Sequence, residues 1–516
     1  MNGGGKRYAW PDALLAALIF CGTVAYLAAL PRNLNAADES IYLYEAKRLL
    51  HGEVMYVDVF DLITPGWMYF MALLFRLFGT DVATARLAAA VLHGVAAVGI
   101  YCTCRAVQVR RGLAWPAALA YLVVCQAAWP IASQHWLSTL LCVFVLWACV
   151  ARSRARPTWT FLPGVVIGLL IAVQQQRGLI IAVGVFVWLI LDHVLQHRFQ
   201  PWPPLRRLTV QLTWLVAGAS SVVVPLLVFL VARAGVGPVW EALVVFPVAN
   251  YGGITHCEWG NINILTAWQG SFTFPRALKY LPVVLVLIVP RLAVLWMRRR
   301  ALEEARTLLL LAVFCLASML SVAYFPDFIH IAFIAPAVFV AIAWCAESLV
   351  RWVPAPRRAV QLVGWVAAAL VLLGAGARLQ RNMSRLREAF PVSRDTVFGR
   401  VDLAATDAAF YDRIKELMRD APSPYLFASP NLYLLVDAPS PIPYGFFLAQ
   451  MYSPEQVQRA IDLLAERRPS YVILPPFTAV HDPIVEWVSE RYEPIPGTDA
   501  VSTHILRPKR AAPAAG

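Results

Sequence analysis

Apolar runs of about 18 residues or more recur along this chain, each long enough to cross a bilayer as a helix. Inside lipid only helices and closed barrels satisfy every backbone N–H and C=O. The runs show none of the period-two alternation of a barrel strand, so they read as helices. Composition agrees: of 516 residues, 59% are hydrophobic and 15% charged, against roughly 25% charged in a soluble domain. The chain therefore reads as a polytopic α-helical membrane protein whose only sizeable soluble part is C-terminal.

We read eleven spans, near 12–30, 82–104, 113–130, 134–151, 161–176, 179–196, 210–233, 279–297, 306–324, 331–349 and 358–377. The fifth is short and polar at its end. With the N-terminus (Lys6, Arg7) in the cytoplasm, the inner loops carry Arg105, Arg110 and Arg111; Arg152, Arg154 and Arg156; Arg198, Arg206 and Arg207; Arg298, Arg299, Arg300 and Arg306; and Arg351, Arg357 and Arg358. The short outer connections carry only Arg177 and Arg276, which is the positive-inside pattern. The net charge of +13 is thus mostly topological and requires no nucleic-acid partner. The first apolar stretch is long and lacks a clean small-residue cleavage site, so it reads as a retained span. An odd span count puts the C-terminus outside. The expected organisation is a transmembrane domain, 1–377, with outer loops 31–81 and 234–278, and a small extracytoplasmic α/β domain, 378–516.

In the first outer loop, Ile41, Tyr44 and Arg48 repeat at helical spacing, with Asp38 or Ser40 as cap and His51-Gly52 as the end. A second amphipathic stretch, Trp67 to Phe78, is too short to span and is expected to lie along the outer membrane surface. The C-terminal domain alternates helix (Tyr411–Arg419, Pro454–Arg467, Ile484–Tyr492) with strand (Tyr425–Ala428, Tyr471–Leu474, Val501–Leu506). The tail from Ala511 reads as disordered. Eight of the nine cysteines sit in or beside spans as packing residues, Cys257 lies in an outer loop, and none falls in the C-terminal domain, which excludes a disulfide scaffold.

The helix centres are nearly free of ionisable residues, which argues against a proton-coupled transporter. Carboxylates gather instead in the first loop. Asp38-Glu39 follows the first span by eight residues, where a partly desolvated carboxylate is a better base. The plain alternative is that Asp38 caps the next helix. Arg177, after Gln174-Gln175-Gln176, can meet an anionic lipid headgroup bidentately or snorkel to water. Asp327 and His330 share a face and can bind substrate hydroxyls or a metal, or form a helix-start cap beside an interfacial His. Gln134-His135-Trp136 fits a sugar platform or an aromatic belt. Asn250-Tyr251 and His256-Cys257-Glu258-Trp259-Gly260-Asn261 form a polar–aromatic cluster, too contiguous for a good zinc site.

The run from Asp38 to Ala46, then Gly52, Tyr56, Asp58, Phe60-Asp61, Thr64-Pro65-Gly66 and Leu77-Phe78-Gly79, resembles the first extracytoplasmic loop of the C-type glycosyltransferases, such as protein O-mannosyltransferases and lipid A aminoarabinose transferases. The resemblance extends to Gln175-Gln176-Arg177-Gly178, to Pro326-Asp327 with His330, and to Asn431-Leu432-Tyr433 and Pro469-Ser470-Tyr471-Val472. It implies an inner-membrane enzyme of a bacterium. A sugar would pass from a polyprenyl-phosphate carrier to a hydroxyl of an envelope glycan, lipid or protein on the outer face, with inversion. Asp38 would be the general base, supported by Glu39. Tyr42, Asp61, His135, Gln175, Gln176, Asp327 and His330 would line the substrates. No Gly-rich nucleotide loop and no cofactor is called for, and a divalent metal is compatible without being required. Leu62-Ile63-Thr64-Pro65-Gly66 lacks the basic residue that many relatives carry before this turn, so the phosphate contact passes to Arg177, then Arg86 and Arg32. Two other classes stay open: a lipid-linked sugar transporter or flippase, and a non-catalytic scaffold for envelope assembly.

Overall fold

The computed structural model describes residues 9–34, 38–151, 156–197, 204–250, 257–261, 276–297, 302–352, 357–445, 451–474, 482–496 and 505–509. Lys6, Arg7, Arg152, Arg154, Arg198, Tyr251, His256, Arg298 to Arg300, Val501 to His504 and the tail from Ala511 lie outside the described residues. The protein is mostly helical, with a small sheet near its C-terminus. Among the described residues, six helices are long and apolar enough to cross a membrane, by length and composition: Trp10–Ala28, Val82–Ala106, Gln175–His197, Arg206–Ala234, Leu278–Met297 and Phe328–Arg351. Shorter apolar helices, including Gln134–Val150 and Pro157–Val173, accompany them. The chain is an integral membrane protein.

Two of the expected spans are built differently. The run at 113–130 is an α-helix, Arg111–Ala120, then a π turn, Tyr121–Cys125, then a 3-10 turn, Gln126–Ala128. The run at 161–176 ends early. Its helix stops at Val173, Gln174 breaks it with φ −155° and ψ 92°, and the next helix begins at Gln175. Gln175, Gln176 and Arg177 are therefore the first turn of a new helix rather than the tail of the old one.

The chain divides into two compact units. The first comprises 1–30, 87–228 and 256–385. Its most buried long helix is Phe328–Trp352, and small residues set its closest helix contacts. A Cβ on Gly164 would lie 2.3 Å from the Leu215 carbonyl oxygen, and one on Gly218 would lie 2.2 Å from that of Phe161. Only glycine lets these two backbones approach so closely, a recurrent way of joining helices in lipid where apolar burial gives no drive. Ion pairs gather toward one end of this bundle: Asp12 with Arg105 and Arg111, Glu347 with Arg110 and Arg351, and Asp192 with Arg306.

The second unit comprises 31–86, 229–255 and 386–516. Its helix Asp38–Leu50 has acids in the first turn and Lys47 and Arg48 in the last, matching the helix dipole at both ends. Gly52, at φ +95°, follows it. This helix packs on Gly66–Phe78, which buries Trp67, Met68, Met71 and Phe75 and exposes Leu73, Leu77 and Phe78. The C-terminal helices are Ala405–Arg419, Pro430–Val436, Pro454–Arg467 and Pro483–Arg491. Ser453 and Gln456 form a reciprocal capping box at the third.

Strands β1 (Val392–Thr396) and β2 (Gly399–Leu403) form a hairpin with Val392 opposite Leu403. Strands β3 (Leu426–Phe427), β4 (Tyr471–Ile473), β5 (Tyr492–Pro494) and β6 (Ile505–Pro508) form a sheet in the order β3-β4-β6-β5, with β3 and β4 parallel. Tyr444, Val457, Leu464, Val472 and Val488 build the core beneath it, and Phe60 of the first loop packs against them.

Candidate functional site

In the first unit the polar side chains converge where helices Gln134–Val150, Gln175–His197 and Phe328–Trp352 begin. Arg177 is 3% exposed, so it does not snorkel to water. The adjoining Gly178 lets it enter: a Cβ there would lie 2.6 Å from the Ile171 backbone nitrogen. The guanidinium donates to Ser138 Oγ (2.8 Å), Thr139 Oγ1 (3.1 Å) and the Phe333 carbonyl (2.8 Å). Its buried Nε has no partner among the described residues. Every partner is neutral, so the buried cation lacks a countercharge among the described residues. That is a costly state unless an anion joins it.

A polar chain leads onward from this cation. Ser138 Oγ lies 2.9 Å from Gln174 Oε1, and Gln174 Nε2 lies 3.4 Å from His135 Nδ1. The His135 ring stacks on Phe333 (4.6 Å, 8°) and meets the His330 ring edge-on at 5.3 Å. Asp327, 1% exposed, accepts the His330 backbone N–H at 2.8 Å and its Nδ1 at 2.6 Å. The cap reading of Asp327 is thus real, with a side-chain contact added to it. The 257–261 segment pairs alongside, with Gly260 N–H donating to the Pro326 carbonyl (2.7 Å) and Phe328 N–H to that of Asn261 (3.1 Å). Gln174 is the glutamine of this run that contacts Ser138 and His135; Gln175 is half-buried and Gln176 exposed.

The second unit holds a different cluster. Its first helix begins at Asp38 itself, so Asp38 and Glu39 occupy the first turn and Ser40 is internal rather than a cap. Asp38 is half-buried; Glu39 is 0% exposed and pairs with Arg86 at 3.0 Å. Arg86 also donates to the Asn33 carbonyl. Arg86 is therefore engaged with Glu39, the neighbour of Asp38. Arg32 has an exposed side chain, and its backbone N–H donates to Asp402 (2.8 Å). Tyr42 is half-buried on the same helix.

Two turns below Asp38, Glu45 is 1% exposed. Burial, then the charge of Asp61, holds its carboxyl well above the usual range. Burial also pushes Asp61 up to about 7, against the opposing backbone N–H groups of Ile63 and Leu62. Neither Glu45 oxygen receives a hydrogen bond from a described residue. A protonated Glu45 donating to Asp61 satisfies both groups. A Cβ on Gly445 would lie 2.8 Å from Glu45 Oε1, so the C-terminal segment closes directly over this pair. Glu45, Ser138, Thr139, Gln174 and Phe333 were not among the expected site residues. Buried hydroxyls, a backbone carbonyl and one more acid in an acidic loop give no distinctive sequence signal.

No family model and no curated protein matches the sequence. Solved structures do. ArnT from Cupriavidus metallidurans, bound to undecaprenyl phosphate, is 14% identical and superposes with a TM-score of 0.56 over 96% of this chain and 97% of its own. The oligosaccharyltransferase AglB from Archaeoglobus fulgidus, with an inhibitory peptide and a dolichol-phosphate, is 11% identical, with a TM-score of 0.51 over 90% and 70%. The arabinofuranosyltransferase AftD from Mycobacteria is 18% identical, with a TM-score of 0.50 over 98% of this chain and 40% of its own. The chain has the C-type glycosyltransferase fold. At these identities the likeness is one of architecture, and the chemistry has to be argued from the side chains.

Proposed function

We propose that this protein transfers a sugar from a polyprenyl-phosphate carrier to a hydroxyl of an envelope glycan, lipid or protein, with inversion, at the outer face of a bacterial inner membrane. The observation that carries the reading is Arg177, a buried guanidinium with only neutral partners among the described residues, in a fold of which two solved examples, ArnT and AglB, hold lipid phosphates. A lipid phosphate supplies the missing charge, and the guanidinium stabilises the leaving group as its charge grows. Asp38 takes the proton of the acceptor hydroxyl as oxygen attacks the anomeric carbon. Glu39, fixed by Arg86, keeps the first turn of that helix in place. Tyr42, Asp61, His135, Gln175, Gln176, Asp327 and His330 are proposed to line the substrates. A division into a transmembrane domain, 1–377, and an extracytoplasmic domain, 378–516, belongs to the same reading. So do eleven spans, a cytoplasmic N-terminus and an outer C-terminal domain; the ion pairs gathered at one end of the first unit fit the basic inner face.

Mass spectrometry of lipids co-purifying with wild-type protein and with Asp38→Asn tests it. Enrichment of a polyprenyl-phosphate sugar on the inactive variant is expected, and its mass names the sugar. Ordinary phospholipids alone in both samples, with polyprenyl-phosphate sugars present in the membranes used, would count against the donor class.

A further inference from the structure

The contact between Asp327 and His330 exceeds what a helix start needs. Acceptance of the His330 backbone N–H (2.8 Å) is the ordinary cap. Acceptance of Nδ1 (2.6 Å) also fixes the ring and commits that nitrogen as a donor. Nε2 is left with no hydrogen-bond partner among the described residues, on a side chain 16% exposed. The rings of Tyr324, Phe325, His135 and Phe333 surround it at centroid distances of 5.7, 5.5, 5.3 and 5.8 Å. Two of these neighbours also reach the guanidinium site. Phe333 gives its carbonyl to Arg177, and His135 contacts Gln174, which touches the Ser138 hydroxyl that Arg177 holds. The dyad and the buried cation belong to one connected cluster.

Counting charge gives the dyad a task, on the reading that a polyprenyl-phosphate sugar is the donor. The donor phosphodiester carries one negative charge. The phosphate monoester left after transfer carries up to two. Arg177 matches the first. We propose that His330, held by Asp327, meets the second, donating from Nε2 to the phosphate oxygen that gains the electron pair. The bond from the anomeric carbon to that oxygen breaks, and its electrons stay on the phosphate. The new bond forms to the acceptor oxygen, whose proton goes to Asp38. In this form the imidazole is protonated on both nitrogens, and Asp327 carries its countercharge and sets its orientation. His330 is thus a catalytic residue of the proposed reaction, and Asp327 a positioning residue.

Two lipids separate this from a capping role: undecaprenyl phosphate, a monoester, and its methyl ester, a diester limited to one charge. Both are titrated against the full-length protein in nanodiscs, with thermal unfolding as a control for folding. The wild type is expected to bind the monoester at least about tenfold more tightly, the usual worth of one charge-assisted hydrogen bond. His330→Gln is expected to abolish that preference while binding the methyl ester within about twofold of wild type. Asp327→Asn, which keeps a cap acceptor, is expected to reduce the preference without weakening the methyl ester. Arg177→Gln is expected to weaken both lipids. A His330→Gln protein that keeps the preference, or a folded one that loses both lipids equally, overturns the role of the dyad and leaves the carrier reading intact. A wild type that binds neither lipid removes the carrier reading and the dyad's role together.

Discussion

Arg177 is set among two hydroxyls and a carbonyl, none of which can cancel its charge. Shortening it to Gln keeps a donor but removes the charge, so the affinity for undecaprenyl phosphate is expected to fall about tenfold or more by direct titration. An unchanged affinity would move the phosphate site elsewhere. At the other cluster, Asp38→Asn keeps the shape of the first helical turn but cannot accept a proton. Transfer is expected to fall by roughly 10²–10⁴-fold, the usual contribution of a general base, with little change in thermal unfolding. A stable, active Asn variant would sink the assignment. Asp61 gives a prediction with a sign. Its folded pKa is raised from an ordinary value of about 4 to about 7, so the folded state holds the proton over that interval while the unfolded chain loses it. Its contribution to stability is whole below pH about 4 and is lost as pH rises through about 7. Unfolding temperature is expected to drop across this window and to drop less in Asp61→Asn; identical slopes in both proteins would exclude Asp61 as the cause.

At the scale of elements, six of the expected apolar spans were legible because lipid imposes long runs that nothing soluble needs. Arg177 stood out for the same reason, as one of only two cations, with Arg276, in the short outer connections. Its partners did not, since Ser138 and Thr139 inside an apolar helix look like ordinary packing. The C-terminal helices with strong periodicity, such as Pro454–Arg467, were readable to the residue. β3 and β4 fall within the expected strands Tyr425–Ala428 and Tyr471–Leu474, whereas β5, three residues long, is too short to show a period. The β1–β2 hairpin and the helix Pro430–Val436 were missed: the strands read Val-Ser-Arg-Asp-Thr and Gly-Arg-Val-Asp-Leu, and the helix starts at a proline in a run short enough to pass for loop. The Gly164–Gly218 crossing offers a direct check on helix packing. Gly218→Ala forces a methyl against the Phe161 carbonyl, and a loss of about 1–3 kcal/mol in detergent unfolding is expected. A variant as stable as wild type would mean that the crossing can open without cost.

For the molecule as a whole, the discontinuous make-up of the second unit matters most. Residues 31–86 and those after position 385 fold together, so the first loop cannot be completed until the C-terminal segments have been made. Phe60 N–H donates to the Pro443 carbonyl (3.0 Å), Val82 N–H to that of Phe398 (3.0 Å), and the Tyr44 and Tyr433 rings meet at a tilt with centroids 4.8 Å apart. Deleting the chain beyond Ala389 is therefore expected to unfold the first loop and abolish transfer, read as new protease cleavage between residues 38 and 81. Survival of that loop would show that it folds alone. Orientation is checked separately. A cysteine at the exposed Arg413, in a background without the native cysteines, is expected to react with an impermeant maleimide from the outer face.

Gln174 also limits what the chain can tolerate by insertion. One residue separates the helix ending at Val173 from the helix beginning at Gln175, and the body of the second helix is held in place by contacts such as Gly184 against Ala317. An alanine added between Arg177 and Gly178 would leave that body where it is and swing Arg177 about 100° around the helix axis. The guanidinium would leave its hydroxyl cage for a different face. The angular position of one charge is thus set by counting residues along a helix, and the tight turn beside it behaves as a fixed ruler in which no length change is silent.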